Sequence, residues 1–352
     1  MTVKKKVLVI DDSAVARQVL TALINRHPGL EVVGTAADPF IARDKIKLLN
    51  PDVLTLDVEM PRMDGHQFLR NLMRLRPMPV VMVSSLTEKG AVASLLALEL
   101  GAIDCIGKPS TDCGDALANF GEEIGEKLIA AAGIEKEQLR QTREKENRPL
   151  FCSVEAKHPR AKSLLALGAS TGGTKALEHV LHGLPENSPG TVIVQHIPGS
   201  FSEALARKLD QNSCLIVREA VDGEPILQGH AYLAPGEQHL EVVRDGLFFN
   251  CRLLDTEPVS RHRPSVDVLF NSVAYSAANR AIGVILTGMG KDGSSGLLNI
   301  RNSGCPTIAQ DEESSVVWGM PGSAVAIGAV DTVLPLSSIP EQIRALTEKM
   351  AT

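Results

Sequence analysis

The chain has 352 residues, 44% of them hydrophobic and 22% charged, a globular mixture too long for one ordinary compact domain and consistent with about two. Lys and Arg total 36 against 42 Asp and Glu, a net charge of −6, which weighs against a protein that coats nucleic acid or anionic lipid. No apolar run approaches the length needed to span a bilayer, and six cysteines at 105, 113, 152, 214, 251 and 305 form no CxxC pair, so the expectation is reduced, packed thiols in a cytosolic chain.

Short apolar runs at 7–10, 31–36, 53–56, 79–83 and 103–106 alternate with amphipathic stretches such as 14–26 and 86–100. Apolar residues in those stretches recur at three- and four-residue spacing, which predicts helices between the strands. Five strands alternating with five helices in residues 1–125 describe a doubly wound parallel sheet. The first run follows Lys4, Lys5 and Lys6 but is closed by Asp11 and Asp12, which makes it too short for a signal peptide. Residues 126–160 read as a linker, because nine of the fourteen residues at 135–148 are charged, with alternating sign and almost nothing to bury.

A second alternation fills 161–352. Runs at 163–168, 191–195, 214–217 and 281–286 read as strands, and 174–184, 201–211, 266–277 and 296–303 as helices. Between 229 and 254 short alternating runs flank Arg244-Asp245-Gly246, a hairpin signal. The fold class expected is α/β, with two doubly wound parallel-sheet domains, the second carrying a β-hairpin insertion.

The first half places Asp11 and Asp12, Asp57, Ser84, and Lys108 followed by Pro109 at the ends of four of its strands. Ligands of open parallel sheets bind beyond the carboxyl ends of the strands, so these residues should converge. Three carboxylates with room for water suit a hard cation such as Mg²⁺, and a carboxylate can itself form an acyl phosphate. Singly, Asp11-Asp12 reads more readily as a helix cap and Lys108 as a surface residue before a turn. Together, with Asp57 inside LTLDVEMPRMDG, the set resembles a response-regulator receiver domain of the flavodoxin-like fold. That resemblance implies phosphorylation of Asp57, Mg²⁺ on Asp11, Asp12 and Asp57, and sensing of the phosphoryl group by Ser84 and Lys108. Cys105 stands where many receivers carry an aromatic residue that moves on phosphorylation.

The second half opens with Gly168-Ala169-Ser170-Thr171-Gly172-Gly173, after an apolar strand and before a helix. A serine on such a turn exposes its hydroxyl beside backbone N–H groups at a helix start. An ordinary helix cap with a glycine-rich turn is the alternative, and a dinucleotide loop lacks its glycine spacing. His196 ends the next strand and Asp292 follows another, so a nucleophile, a base and an orienting carboxylate stand on three strand ends. The chain order Ser, His, Asp differs from the Ser, Asp, His order of α/β-hydrolases, which points to the same chemistry on a different doubly wound sheet.

The segments GASTGGTKA, VIVQHIP, HAYLAPG, RHRPSVDVLF, GVILTGMGKDG and TIAQDEESSVVWGMP resemble the catalytic domain of the chemotaxis protein-glutamate methylesterase family. The resemblance implies Ser170 as nucleophile, His196 as general base and acid, Asp292 as the orienting carboxylate, the Met289 N–H facing the oxyanion, and the Thr171 hydroxyl positioning His196. It implies removal of methyl groups, as methanol, from glutamyl methyl esters on the cytoplasmic region of chemoreceptors, with deamidation of receptor glutamines. A chemotaxis histidine kinase would be the phosphodonor, and the unphosphorylated receiver would pack over the esterase site. No cofactor in the esterase site, no nucleic-acid partner and no membrane insertion are expected, and the location expected is the cytoplasm. Arg261, His262 and Arg263 form a compact basic cluster, which either meets an acidic receptor helix by attraction or simply covers a loop before the 266–277 helix, and is read as the latter.

Overall fold

The computed structural model describes residues 3–58, 60, 65–85, 87–108, 114–134 and 159–351. The chain divides into two compact units, residues 1–146 and 147–352.

In the first unit β1 (Lys5–Ile10), β2 (Leu30–Ala36), β3 (Val53–Asp57), β4 (Val80–Ser84) and β5 (Asp104–Gly107) alternate with α1 (Ala14–Arg26), α2 (Pro39–Leu49), α3 (Gly65–Leu75), α4 (Glu88–Glu99) and α5 (Gly114–Ala132). All strand pairs are parallel, in the order β2-β1-β3-β4-β5. The chain therefore reverses direction across the sheet between β1 and β3, which opens a crevice at their carboxyl ends. Val7 to Ile10 and all of β3 are buried, as covering by helices on both faces requires. Helix starts obey local rules: the Ser13 hydroxyl accepts the Ala16 N–H, and Asp38 accepts the N–H groups of Phe40 and Ile41 with Pro39 at the first turn. Helix α5 runs on to Ala132, past the boundary expected at 125, because Leu128 and Ala131 continue its buried face. The charged stretch 135–148 and Pro109 lie outside the described residues.

The second unit contains β6 (Leu164–Ala169), α6 (Gly173–His182), β7 (Gly190–Gln195), α7 (Gly199–Gln211), β8 (Ile216–Glu219), β9 (His230–Leu233), β10 (His239–Asp245), β11 (Phe248–Leu254) and α8 (Val266–Ala277). After these come β12 (Ala281–Ile285), α9 (Ser294–Asn302), β13 (Thr307–Gln310), α10 (Gly319–Ala326), β14 (Thr332–Leu334) and α11 (Ile339–Ala351). Seven strands form one parallel sheet in the order β14-β13-β12-β6-β7-β9-β8. The order reverses at β6 and β12. Every residue of β6, β7 and β12 is buried.

The hairpin signal holds only for its second part. Strands β10 and β11 pair antiparallel and turn at Gly246, but 230–233 belongs to the main sheet between β7 and β8. Ala231, Tyr232 and Leu233 are completely buried, and a four-residue strand is too short for its periodicity to reveal that. Two serines of α8 tie the hairpin down: Ser272 Oγ accepts the Val242 N–H, and Ser276 Oγ donates to the Val242 carbonyl. Cys105, Cys251 and Cys305 are free and buried, but Cys214 is disulfide-bonded, which overturns the expectation of six reduced thiols.

Candidate active site

Strands β6 and β7 run in register, with Ala169 beside Gln195, so the residues that follow them start at the same height. The His196 N–H donates to the Ala169 carbonyl at 3.1 Å, and the Ser170 N–H donates to the Thr287 carbonyl beyond β12 at 3.0 Å. Ser170, His196 and the 287–292 loop are thereby held at the rim where the strand order reverses. The Gln195 amide nitrogen bridges the carbonyls of Ser170 (2.8 Å) and His196 (3.0 Å), locking the two turns together.

Tight turns at this rim depend on absent side chains. Gly172 adopts φ +79 before α6, and a Cβ there would lie 2.6 Å from the Val316 side chain. A Cβ on Gly288 would lie 2.8 Å from the Ser170 Cβ and 2.3 Å from the Met320 sulfur. These positions must be glycine for the serine to sit where it does.

His196 Nε2 donates to Asp292 Oδ2 at 2.8 Å, between side chains that are 6% and 2% exposed. The other ring nitrogen, Nδ1, is buried and has no hydrogen-bond partner. Ser170 Oγ also makes no hydrogen bond among the described residues, and Ser170 is 7% exposed. A hydroxyl without an acceptor and a buried imidazole nitrogen without a donor stand on neighbouring turns. Such contacts commonly tighten only when substrate binds.

Asp292 accepts three bonds besides that from His196. Ser265 Oγ donates to Oδ1 at 2.7 Å, the Val266 N–H to Oδ2 at 2.7 Å, and the Asp267 N–H to Oδ1 at 3.1 Å. Burial pushes the Asp292 carboxyl up, but the bonds and charge from His196, then Ser265 and Val266, outweigh it and hold the pKa below the ordinary value. The same N–H groups open α8, whose dipole favours the ionised form. Ser265 is held in turn by fully buried His239, whose Nδ1 accepts the Ser265 N–H at 3.1 Å.

No described group accepts the Met289 N–H, whereas the Ser170 N–H is already spent on Thr287. Met289 is therefore one backbone donor at this rim that remains open to a developing negative charge. Thr171 is buried, and its carbonyl accepts the Thr287 hydroxyl at 3.0 Å. The sequence reading missed Gln195 and Ser265, and took His239 and His262 for structural or surface residues. The His262 ring in fact stacks on His196, with centroids 3.8 Å apart and planes 12° apart. Ser265 did carry a readable signal, a serine just before a helix, but its hydroxyl serves the carboxylate and not the helix N–H groups.

In the first unit, Lys108 Nζ lies 2.7 Å from Asp57 Oδ2 and 2.8 Å from Asp11 Oδ2. Burial pushes the Lys108 amine down, but the bonds to Asp11 and Asp57 more than restore it, so its pKa is raised. Asp11, Asp12 and Asp57 each present a carboxylate oxygen within 4.8 Å of the others, Asp12 exposed and the other two buried. Asp11 Oδ2 lacks a hydrogen bond of good angle despite its ion pair, so it retains coordinating capacity. Three oxygen donors, one side open to water, fit a hard cation such as Mg²⁺. Ser84, at the end of β4, is buried, its hydroxyl only loosely bonded to the Gly90 carbonyl at 3.4 Å and the Ser85 carbonyl at 3.5 Å. Cys105 on β5 is a buried thiol whose pKa burial, with help from Asp104, raises to about 12.

The family model for CheB methylesterase matches residues 165–343, and that for a response regulator receiver domain matches residues 7–114. The chain is 53% identical over 348 residues to protein-glutamate methylesterase/protein-glutamine glutaminase 1 of Xanthomonas campestris, with 97% of each chain covered. It is 54% identical over 351 residues to the protein of the same name from Hahella chejuensis, covering 96% of this chain and 95% of the relative. Among solved structures, the CheB methylesterase catalytic domain of Thermotoga maritima aligns with a TM-score of 0.51 at 39% identity, over 52% of this chain and 98% of that one.

Proposed function

The chain belongs to the CheB methylesterase family, with a receiver domain at its front, and on that premise we propose that it hydrolyses glutamyl methyl esters on chemoreceptors and deamidates receptor glutamines. The observation that carries the assignment of roles is the buried Nδ1 of His196, left without a partner while Nε2 is engaged by Asp292. A neutral imidazole so held presents a lone pair at Nδ1, on the ring edge away from the carboxylate.

In this mechanism Nδ1 takes the Ser170 proton as Oγ attacks the ester carbonyl. The Met289 N–H faces the resulting oxyanion. Asp292, kept ionised by four hydrogen bonds, stabilises the imidazolium. Nδ1 then returns its proton to the departing methoxide, which leaves as methanol. Water deprotonated at Nδ1 next splits the acyl-enzyme, giving a free glutamate and regenerating Ser170. An amide substrate follows the same course with ammonia leaving.

The receiver supplies control. Asp57 is the phosphate acceptor, and transfer from a histidine kinase raises esterase activity. Asp11, Asp12 and Asp57 would hold Mg²⁺, which neutralises charge on a phosphoryl group when bound. Lys108, already on Asp57, would follow the phosphoryl oxygens, and the Ser84 hydroxyl would donate to them.

The test is methanol release from methylated receptor by wild type, Ser170→Ala and Asp57→Asn, with and without a phosphodonor. Ser170→Ala should release none, and Asp57→Asn should keep basal activity while losing the stimulation. Full release by Ser170→Ala would reject the triad.

A further inference from the structure

His196 is fastened to Asp292 along one ring edge, by a single hydrogen bond at Nε2. A ring held at one edge can still tip about that bond, and tipping would carry Nδ1 away from the Ser170 hydroxyl. Something must hold its face, and the structure supplies a second imidazole. His262 lies on His196 with 3.8 Å between centroids and 12° between planes, closer than the about 4.5–7 Å usual for aromatic pairs.

The segment that delivers His262 is a two-residue reverse turn. The Val259 N–H donates to the His262 carbonyl at 3.1 Å, and the His262 N–H donates to the Val259 carbonyl at 2.9 Å. The two residues between them, Ser260 and Arg261, both take left-handed backbone conformations, with φ 53 and φ 68. Turns of this kind favour asparagine and glycine because side chains there are strained. Two consecutive non-glycine residues in that region mark a site where strain is held by its surroundings. Arg263 anchors the exit of the turn, with Nη1 donating to Asp255 at 2.8 Å and to the Thr256 carbonyl at 3.0 Å.

We propose that His262 is a positioning residue for the esterase reaction: its ring, delivered by the strained 259–262 turn, fixes the plane of His196 so that Nε2 stays on Asp292 while Nδ1 faces Ser170. Covering one face of the imidazole also keeps water from it, which strengthens the attraction between imidazolium and Asp292. The inference rests on the triad reading above and adds a fourth residue that acts through the His196 ring on which it stacks.

The experiment measures methanol release from methylated receptor by the full chain, as kcat and KM separately, for wild type, His262→Ala, His262→Phe and Ser170→Ala. His262→Ala should lower kcat by about 10- to 100-fold, the effect of a misplaced base, with KM nearly unchanged. His262→Phe restores a flat ring and should recover most of kcat. Only variants with wild-type thermal melts are compared. If the alanine variant unfolds, His262→Leu, of similar bulk but not flat, replaces it. Full kcat without the ring, or a phenylalanine variant as slow as alanine, overturns the proposal. An active Ser170→Ala would sink the triad reading itself, and an inactive one leaves the His262 series to judge the stack alone.

Discussion

Asp292 Oδ2 accepts the Val266 N–H at 2.7 Å, so the carboxylate that orients His196 also closes the N-terminus of helix α8. One side chain thus serves the proposed chemistry and the fold together. The helix returns the favour: its first N–H groups and its dipole keep the carboxylate ionised next to an imidazole that must carry positive charge.

Asp292→Asn should separate these two roles. The amide cannot balance an imidazolium, and kcat for methanol release is expected to fall by about 10³- to 10⁴-fold. The amide keeps one acceptor oxygen but loses the charge at the helix start, which should also cost about 0.3–1 kcal/mol, read from the denaturant midpoint. The depressed pKa of Asp292 means that its contribution to stability is present above the unfolded carboxyl's value and is lost as pH falls through the folded one. Wild type should therefore lose stability in acid more steeply than the asparagine variant, measured as unfolding free energy against pH below about 4.

Ser265→Ala removes one of the two donors to Asp292 Oδ1 while leaving the Asp267 N–H in place. A bond to a charged acceptor is worth about 1.5–3 kcal/mol, so kcat should drop by about 10- to 100-fold. Ser265→Thr, which keeps the hydroxyl, should recover most of that loss in the same assay.

Gly288→Ala tests the packing of the rim. The new Cβ would stand 2.8 Å from the Ser170 Cβ, so one of the two must shift. Displacement of a nucleophile by about 1 Å costs about 100-fold in rate. A serine-directed active-site probe should label this variant correspondingly more slowly than wild type.

Lys127 joins α5 to β5 inside the first unit, 3.0 Å from Asp104 Oδ2, and donates to the Cys105 carbonyl at 3.2 Å. Burial pushes the Lys127 amine down, but Asp104 and Glu123 more than offset this and leave its pKa raised. A raised lysine pKa gives stability that is complete below the unfolded value and lost only in strong alkali, so it is fully present at neutral pH. Lys127→Met should strand the Asp104 charge and destabilise this unit by about 3–5 kcal/mol at pH 7. Pairing it with Asp104→Leu should recover most of that loss in the same urea titration.

Mg²⁺ alone should raise the thermal midpoint of the receiver, because a ligand of the folded state stabilises it by mass action. Asp12→Ala and Asp57→Asn each remove one member of the acidic cluster. Either change should shrink the shift, and a chelator should abolish it in wild type.

Much of the architecture was legible in the residues. The apolar runs at 7–10 and 53–56 fall inside β1 and β3, and 14–26 matches α1 end for end, because burial against a sheet imposes a period that the chain itself carries. The strand-end positions of Asp11, Asp57, Ser170 and His196 could be read the same way. Strand 230–233 could not, since four residues hold too little periodicity to separate a central strand from a hairpin arm. The bonded state of Cys214 was equally silent, because no CxxC spacing marks it.

From the sequence alone came two parallel sheets, and a hydroxyl, an imidazole and a carboxylate placed after three separate strands. Tertiary structure alone decided that β6 lies between β7 and β12, which imidazole nitrogen faces Asp292, and that Thr287 takes the Ser170 N–H while the Met289 N–H stays open. It also recruited Ser265 and His239 behind the carboxylate and laid His262 on His196. The physical reason is one of range. Periodicity records only whether a side chain faces the core or the solvent, whereas strand neighbours and loop partners are chosen by packing among segments far apart along the chain.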